Sequence, residues 1–358
     1  MIKSVKFKRI KLDMKKPFRI SLGSTDFYEG FFVAIESDDG YTGYGEATPT
    51  PFITGDTMGS IENELEAFSK ILPGMEESPD LVNIKMKSIM KSSRASRNAI
   101  DCALWDLLGK RHDVNLTKIL GNHKKSIPTS YTVDLVDSES ARRQAKQLLE
   151  QGIKVFKIKM GSGIPQDVDR VRVVREVIGD KPMVYVDFNQ AYNAKMTVEI
   201  SKKLEEYDIE FLEQPVPAHD INALKFARDN STIPIFADEA IFTPGNVSEI
   251  LSREAADGIN IKLMKSGGIT DSIKMVDTAE SFGVPVMIGC MVETRLANTA
   301  GLVVALSKSG VKYADLDGYS SLKEDPLKSG ITLESGEVRM QKLIAGMGTS
   351  LKDEFVPK

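Results

Sequence analysis

Eight short apolar runs, each followed by a stretch of helical spacing, fill the chain from Pro128 to Leu316. They are Pro128–Val133, Val155–Met160, Met183–Phe188, Ile209–Leu212, Ile233–Ala237, Gly258–Leu263, Val284–Ile288 and Val311–Leu316. Short strands alternating with helices of about 10–15 residues predict βαβ units and a parallel sheet, and eight such units predict closure into a TIM-type (β/α) barrel. Five charged residues stand at the ends of five successive runs, in the order Lys159, Asp187, Glu213, Asp238 and Lys262, spaced 28, 26, 25 and 24 residues apart. Strand ends of this kind converge on one mouth of a barrel.

Side chains two apart on a strand share a face, so Lys157 points with Lys159, Tyr185 with Asp187, Phe211 with Glu213, Phe236 with Asp238 and Asn260 with Lys262. Neighbouring strands of an eightfold barrel are about 45° apart, which sets the second-strand and sixth-strand lysines on opposite sides of the pocket. Asp187, Glu213 and Asp238 lie on the arc between them. Three carboxylates suit an octahedral hard cation, Mg²⁺ or alternatively Mn²⁺. None of the three histidines lies at a predicted strand end, which argues against zinc.

A divalent cation flanked by two lysines fits proton abstraction next to a carboxylate. The carbanion needs its charge spread onto held oxygens, and the base must be a neutral amine. Lys157, on the same face as Lys159, and the cation are both expected to lower the pKa of Lys159. With a base on each face, a proton removed from one side is returned from the other, giving inversion at carbon.

The remaining chain sets the surroundings. A chain of 358 residues holds a barrel plus a further domain of roughly 100–150 residues. Ile2 to about Leu12 and Gly30 to Glu46 read as an antiparallel meander turning at Ser37–Gly40, and Gly59–Leu72, Ser88–Lys110 and Leu116–Leu120 read as helices. Expected boundaries are an α+β capping domain over 1–124, the barrel over 125–325, and a tail over 326–358 with a strand pair around Glu334–Glu337, packing back on the capping domain. A formal charge of −4 without a basic stripe argues against nucleic acid. The N-terminus resembles neither a signal peptide nor a membrane span, and the two cysteines, Cys102 and Cys290, lack metal-site spacing. A cytoplasmic protein, a small-molecule ligand and a homo-oligomer are the expectations.

FKIKMG (Phe156–Gly161), VDFNQA (Val186–Ala191), EFLEQPV (Glu210–Val216), FADEAIFTP (Phe236–Pro244) and INIKLMKSGG (Ile259–Gly268) resemble the muconate-lactonizing branch of the enolase superfamily. ALWDLLGK (Ala103–Lys110) and YGEATPT (Tyr44–Thr50) resemble its capping domain, so the resemblance covers essentially the whole chain. It implies a modified, enolase-like barrel capped by the N-terminal segment and the tail, with lysine bases and Mg²⁺ stabilising an ene-diolate. ADLDGY (Ala314–Tyr319) resembles the D-x-D motif of dipeptide epimerases, implying that Asp315 and Asp317 bind the α-ammonium group of a dipeptide. The resemblance further maps Thr132 and the group Cys290, Met291 and Val292 to substrate contacts, and PFITGDT (Pro51–Thr57) supplies Phe52 and Ile53 as apolar walls. The arginine that reads glutamate in family members acting on L-Ala-D/L-Glu falls here on Gly23, with Arg19 four residues earlier. A role in recycling cell-wall peptides is implied by resemblance.

The expected activity is Mg²⁺-dependent epimerisation of L-Ala-D/L-Glu or a related L-Ala-Xaa dipeptide, with Lys159 and Lys262 as the two bases and Lys157 adding charge stabilisation. The competing readings are o-succinylbenzoate synthase or N-acylamino acid racemase, which use the same lysine pair, and muconate cycloisomerisation with one working base. Asp315 and Asp317 argue against acylated ligands, which have no ammonium to pair. A Schiff-base aldolase has no use for the carboxylate trio, and a catalytically silent peptide-binding barrel has no use for both bases. Asn189 is expected to support the cation ligands, and Glu239 to orient Lys262 or an adjacent ligand. Cys290 reads as a packing residue. Gly161-Ser162-Gly163 and Gly267-Gly268 lack a nucleotide fingerprint and read as tight turns.

Overall fold

The structure, a computed structural model, describes residues 1–20 and 23–358, and the side chains of all but 16–25. It opens with a three-stranded antiparallel sheet, β1 (Ile2–Ile20), β2 (Gly23–Ser37) and β3 (Thr42–Ala47). β1 runs well past Leu12, because its pairing with β2 continues from Ile2↔Ser37 out to Ile20↔Gly23 across an irregularity between Asp13 and Phe18. Four helices follow, α1 (Met58–Ile71), α2 (Pro79–Ile89), α3 (Arg94–Arg111) and α4 (Leu116–Leu120).

The helix expected from Ser88 to Lys110 begins only at Arg94, and the helix before it, α2, is not among those expected. Met90 adopts an extended conformation that ends α2, and α3 restarts after Ser92 and Ser93, residue types whose hydroxyls favour caps over helix interiors. α3 is buried on almost every side, as expected of a helix between two layers. One side meets β3 at two glycines: a Cβ on Gly43 or Gly45 would fall 1.9 Å from the carbonyl oxygens of Ala103 and Ala99. The other side meets the barrel at Gly267 and Gly268, where a Cβ would strike Arg97 and Asp101. Both glycines also hold positive φ, +91° and +117°. The glycine pair therefore makes a turn and admits the capping helix, and both demands exclude a side chain.

The barrel is built from β5 to β12, after β4 (Ser126–Pro128), which stands outside it. Its strands and helices alternate as β5 (Ser130–Val133), α5 (Ser138–Glu150), β6 (Val155–Lys159), α6 (Ile164–Ile178), β7 (Met183–Asp187), α7 (Ala194–Leu204), β8 (Ile209–Glu213), α8 (Ile221–Asn230), β9 (Ile235–Ala237), α9 (Pro244–Ser252), β10 (Gly258–Lys262), α10 (Leu263–Ser266), α11 (Ile269–Ser281), β11 (Val286–Gly289), α12 (Arg295–Ser307) and β12 (Val311–Asp315). The eight strands are parallel and pair in sequence order, and the Thr129↔Ala314 bridge brings the first and last together. The expected first run, Pro128–Val133, is divided at Thr129, since β4 pairs instead with the tail. The tail comprises β13 (Leu327–Ser329), β14 (Ile331–Glu334), β15 (Glu337–Met340) and β16 (Ser350–Leu351). β15 pairs with both β14 and β4, and the backbone N–H of Met347 donates to Asp106 of α3 at 2.8 Å.

Inside the barrel, Tyr185, Phe211, Phe236 and Met287 form a separate buried apolar cluster. The Phe211 and Phe236 rings stack with centroids 3.9 Å apart, and Tyr185 stacks on Phe211 at 4.5 Å. Each aromatic residue sits two positions before a carboxylate, so the aromatic layer lies directly beneath the charged one. Above the mouth, Lys15 of β1 donates to the Ser320 carbonyl at 2.9 Å and Lys323 N–H donates to the Asp13 carbonyl at 2.9 Å, tying the capping sheet to the loop after β12. Among the described residues no helix is long and apolar enough to cross a membrane.

Candidate active site

The strand ends carry Lys157 and Lys159 on β6, Asp187 on β7, Glu213 on β8 and Lys262 on β10, with Asp238 just past β9. β6 and β10 stand four strand positions apart in a sheet of eight, which is halfway around a barrel. Asp187, Glu213 and Asp238 have no exposed surface. Lys157 lies 3.0 Å from Asp187, 2.9 Å from Glu213 and 2.8 Å from Asp315. Lys159 donates to Asp187 at 2.6 Å and to Asn189 at 2.9 Å, and Lys262 donates to Asp238 at 2.7 Å. Asn189 in turn donates to Glu239 at 3.1 Å, so Glu239 acts on Lys159 through that amide.

The charges settle accordingly. Burial opposes ionisation of Asp187 and Asp238, but Lys157 and Lys159 around the first and Lys262 and Lys265 around the second hold both carboxyls well below the usual range. Lys157 and Lys262 are desolvated yet held protonated by the carboxylates they face. Burial, then Asp187, pushes Glu213 up to about 8; burial, then Asp238, pushes Glu239 up to about 7.

These residues fit a divalent cation by charge. Asp187, Glu213, Asp238, Glu239, Asp315 and Asp317 face the four lysines 157, 159, 262 and 265, which leaves two negative charges unmatched when all are ionised. Glu213 Oε2 is buried without a hydrogen bond, its Lys157 contact being an ion pair only. Ammonium groups stand between the carboxylates here, and the trio is more widely spaced than a closed ligand set. Among the described residues the three acids whose oxygens do lie within 4.8 Å of one another are Asp38, Asp39 and Glu77. That group, two exposed acids and one buried, is paired with the Met1 ammonium and Arg111.

A cavity of about 790 Å³ opens above the lysines, under the capping domain. Lys157, Lys159, Lys262, Asn189, Thr132, Cys290, Met291, Val292, Asp315 and Asp317 line it, and Phe52 and Ile53 wall it from the cap. Asp315 is satisfied from inside the protein by Lys157 and by Ser130 at 2.8 Å. Asp317 accepts the Thr132 N–H at 3.1 Å, and burial, then the neighbouring Asp315, pushes it up to about 7. The expectations at Arg19 and Gly23 fall outside the residues whose side chains are described.

Residues 4–121 match the N-terminal domain of the mandelate racemase/muconate lactonizing enzyme family, and residues 140–355 match the enolase C-terminal domain-like family. The chain belongs to the mandelate racemase/muconate lactonizing branch of the enolase superfamily. Among relatives in this superfamily, the hydrophobic dipeptide epimerase of Enterococcus faecalis is 33% identical over 98% of this chain and 99% of its own. Its structure with Mg and the dipeptide L-Leu-L-Tyr superposes with a TM-score of 0.95, covering 98% of this chain and 99% of that one. The L-Ala-D/L-Glu epimerase of Bacillus subtilis is 35% identical over 93% of this chain and 92% of its own. The N-succinyl-L-Arg/Lys racemase of Bacillus cereus is 31% identical over 88% and 87%.

Two features of this enolase-superfamily chain escape a reading of strand ends. Lys265 is buried against Asp238, donating to its carbonyl and to Oδ1. The signal is its place in INIKLMKSGG, three residues after Lys262, where a one-turn helix returns it to the same carboxylate. The other is the buried pair Glu46 and Glu293 at the seam between cap and barrel. Glu46 of β3 accepts the Thr294 and Ala297 N–H groups at 2.8 and 3.0 Å, capping α12 from the other domain. Glu293 accepts the Met291 N–H at 3.0 Å, and burial, then Glu46, pushes it up to about 8.

The raised Glu293 carboxyl sets a sign. Its stabilising contribution is fully present below the unfolded value near 4.5 and is lost as pH rises through about 8, where the native state must ionise a buried acid. Glu293→Gln keeps an acceptor for Met291 and stays neutral. We expect it to be more stable than the native chain by on the order of 1–3 kcal/mol at pH 9 and equal to it near pH 5, as read by urea denaturation at both pH values.

Proposed function

We propose that the protein is a Mg²⁺-dependent dipeptide epimerase that inverts the α-carbon of the C-terminal residue through a planar, charge-delocalised state. The observation that carries this reading is the pair of lysines on strands halfway around one barrel, with the carboxylate trio at the ends of the three strands between them. The dipeptide relatives and their Mg complexes support it. When bound, a divalent cation takes charge from the carboxylates and stabilises negative charge on the substrate carboxylate.

The chain's own residues do the rest. Lys159 and Lys262 exchange roles as base and acid on the two faces of the α-carbon. Lys157, locked by three carboxylates, presents fixed positive charge to the substrate carboxylate. Asp317, with Asp315 behind it, receives the substrate ammonium, which sets the length of the ligand. Phe52 and Ile53 shape the cap side of the pocket, and L-Ala-Xaa dipeptides, L-Ala-D/L-Glu among them, are the proposed substrates.

The test is incubation with Mg²⁺ and a panel of L-Ala-L-Xaa dipeptides in D₂O, following deuterium uptake by mass spectrometry and inversion by chiral chromatography. Exchange with inversion at the C-terminal residue is expected. Inertness toward every dipeptide, with turnover of N-succinyl amino acids instead, would transfer the assignment to the acyl amino acid racemases.

A further inference from the structure

We propose that Lys265 is a positioning residue for this reaction, acting through Asp238 to hold Lys262 on its face of the cavity; the inference rests on the two-lysine reading above. Lys265 is 1% exposed and takes no part in the cavity wall, so it does not meet substrate. Its ammonium group grips the Asp238 carbonyl and Oδ1, while Oδ2 of the same carboxylate accepts Lys262 at 2.7 Å. The carboxylate is thus divided, with one oxygen for each lysine.

Every other support of Asp238 converges on the same arrangement. Its backbone N–H donates to Gln214 Oε1 at 2.9 Å. Lys265 is steadied in turn by the Phe242 ring, 5.5 Å from Nζ, and by Arg94, which donates to the Lys265 carbonyl at 3.3 Å. The one-turn helix α10 ends at Gly267 with positive φ, which fixes the spacing that brings residues 262 and 265 to one carboxylate.

Charge pairing alone does not explain this. Asp238 is already paired by Lys262, and taking a second ammonium group out of water carries its own desolvation cost. A second lysine has a use if the first must leave: Lys262 turns between Asp238 and the α-carbon on each cycle, and Asp238 has to stay put to receive it again. Lys265 supplies that constancy. It does so on one side only, since Lys159 is held by Asp187 and Asn189.

The one-sidedness gives the test. Exchange of the α-proton into D₂O is followed by ¹H NMR, separately from each member of whichever L-Ala-L-Xaa and L-Ala-D-Xaa pair reacts fastest, with Lys159→Met and Lys262→Met proteins identifying which epimer faces which lysine. For Lys265→Met we expect exchange of the Lys262-facing epimer to fall at least tenfold and that of the Lys159-facing epimer less than threefold, at saturating Mg²⁺. Equal losses for both epimers, or no loss, would overturn the proposal, the first marking a role in cation binding or folding. If Lys265→Met lacks a cooperative unfolding transition, Lys265→Gln is judged by the same criteria, and failure of both to fold also overturns it. Failure of the underlying reading is visible independently, since Lys159→Met and Lys262→Met would then each abolish exchange of both epimers.

Discussion

Lys159→Met is expected to lose epimerisation by about 10²–10⁴-fold while still exchanging the α-proton of one epimer of its substrate at a measurable rate. Removal of one base stops inversion, because the proton delivered to the second face has no donor. It leaves the opposite base able to remove a proton and return one from the same side. The fold should survive, since Asp187 keeps Lys157 at 3.0 Å after Lys159 is gone. Lys157→Met differs in kind: it strips an ammonium from Asp187, Glu213 and Asp315 together, and stability should fall along with turnover. Parallel deuterium-exchange and thermal unfolding measurements separate the two. Loss of exchange from both epimers in a folded Lys159→Met protein would remove the two-base mechanism.

Glu213→Gln should move activity and stability in opposite directions. Glu213 is wholly buried, and burial together with Asp187 and Asp238 pushes its carboxyl to about 8, so above that pH the metal-free native state carries an ionised acid that burial opposes. A neutral amide ends that opposition. Its carbonyl can face Lys157, and its NH₂ can face Asn260, which now donates to Glu213 at 2.6 Å and whose own Oδ1 is buried without a partner. Turning the Asn260 amide over satisfies the new donor. Without added Mg²⁺, the variant should therefore unfold at a temperature no lower than the native chain at pH 9. Turnover should fall by 10²-fold or more, as is typical when a group stabilising developing charge is lost. Calorimetric titration with Mg²⁺ should show weakened binding. Native-like Mg²⁺ affinity in this variant would strike Glu213 from the ligand set.

The charged ladder was legible because barrel geometry converts strand order into angular order, so residues 24 to 28 apart in sequence become neighbours around one mouth. What stayed hidden depends on contacts that no local pattern records. Lys157 meets Asp315 across 158 positions of sequence, on β6 and β12, so of the two aspartates of the D-x-D motif on the cavity wall one is paired with a buried ammonium group while the other accepts a backbone N–H. Lys265 carries no strand-end signal of its own, and the one-turn helix brings it to Asp238. The start of α3 reads too early because the apolar spacing runs back through Met90 into the end of α2. The glycine pair after Lys262 reads as a tight turn, and half of its reason, the approach of α3, belongs to a helix about 170 residues earlier.

The aromatic layer under the carboxylates also decides where protons come from. Phe211, Phe236 and Tyr185 fill the barrel beneath the carboxylates, and the lysines meet water from the cavity above them. Where water is kept from the cavity, a lysine that has just taken a proton holds three hydrogens, one of them from the substrate. A proton lifted from substrate can then fall back to the carbon it left before it is diluted by solvent. Isotope incorporation then counts exchange with water as well as bond cleavage, and the ratio of deuterium uptake to inversion compares the two rates.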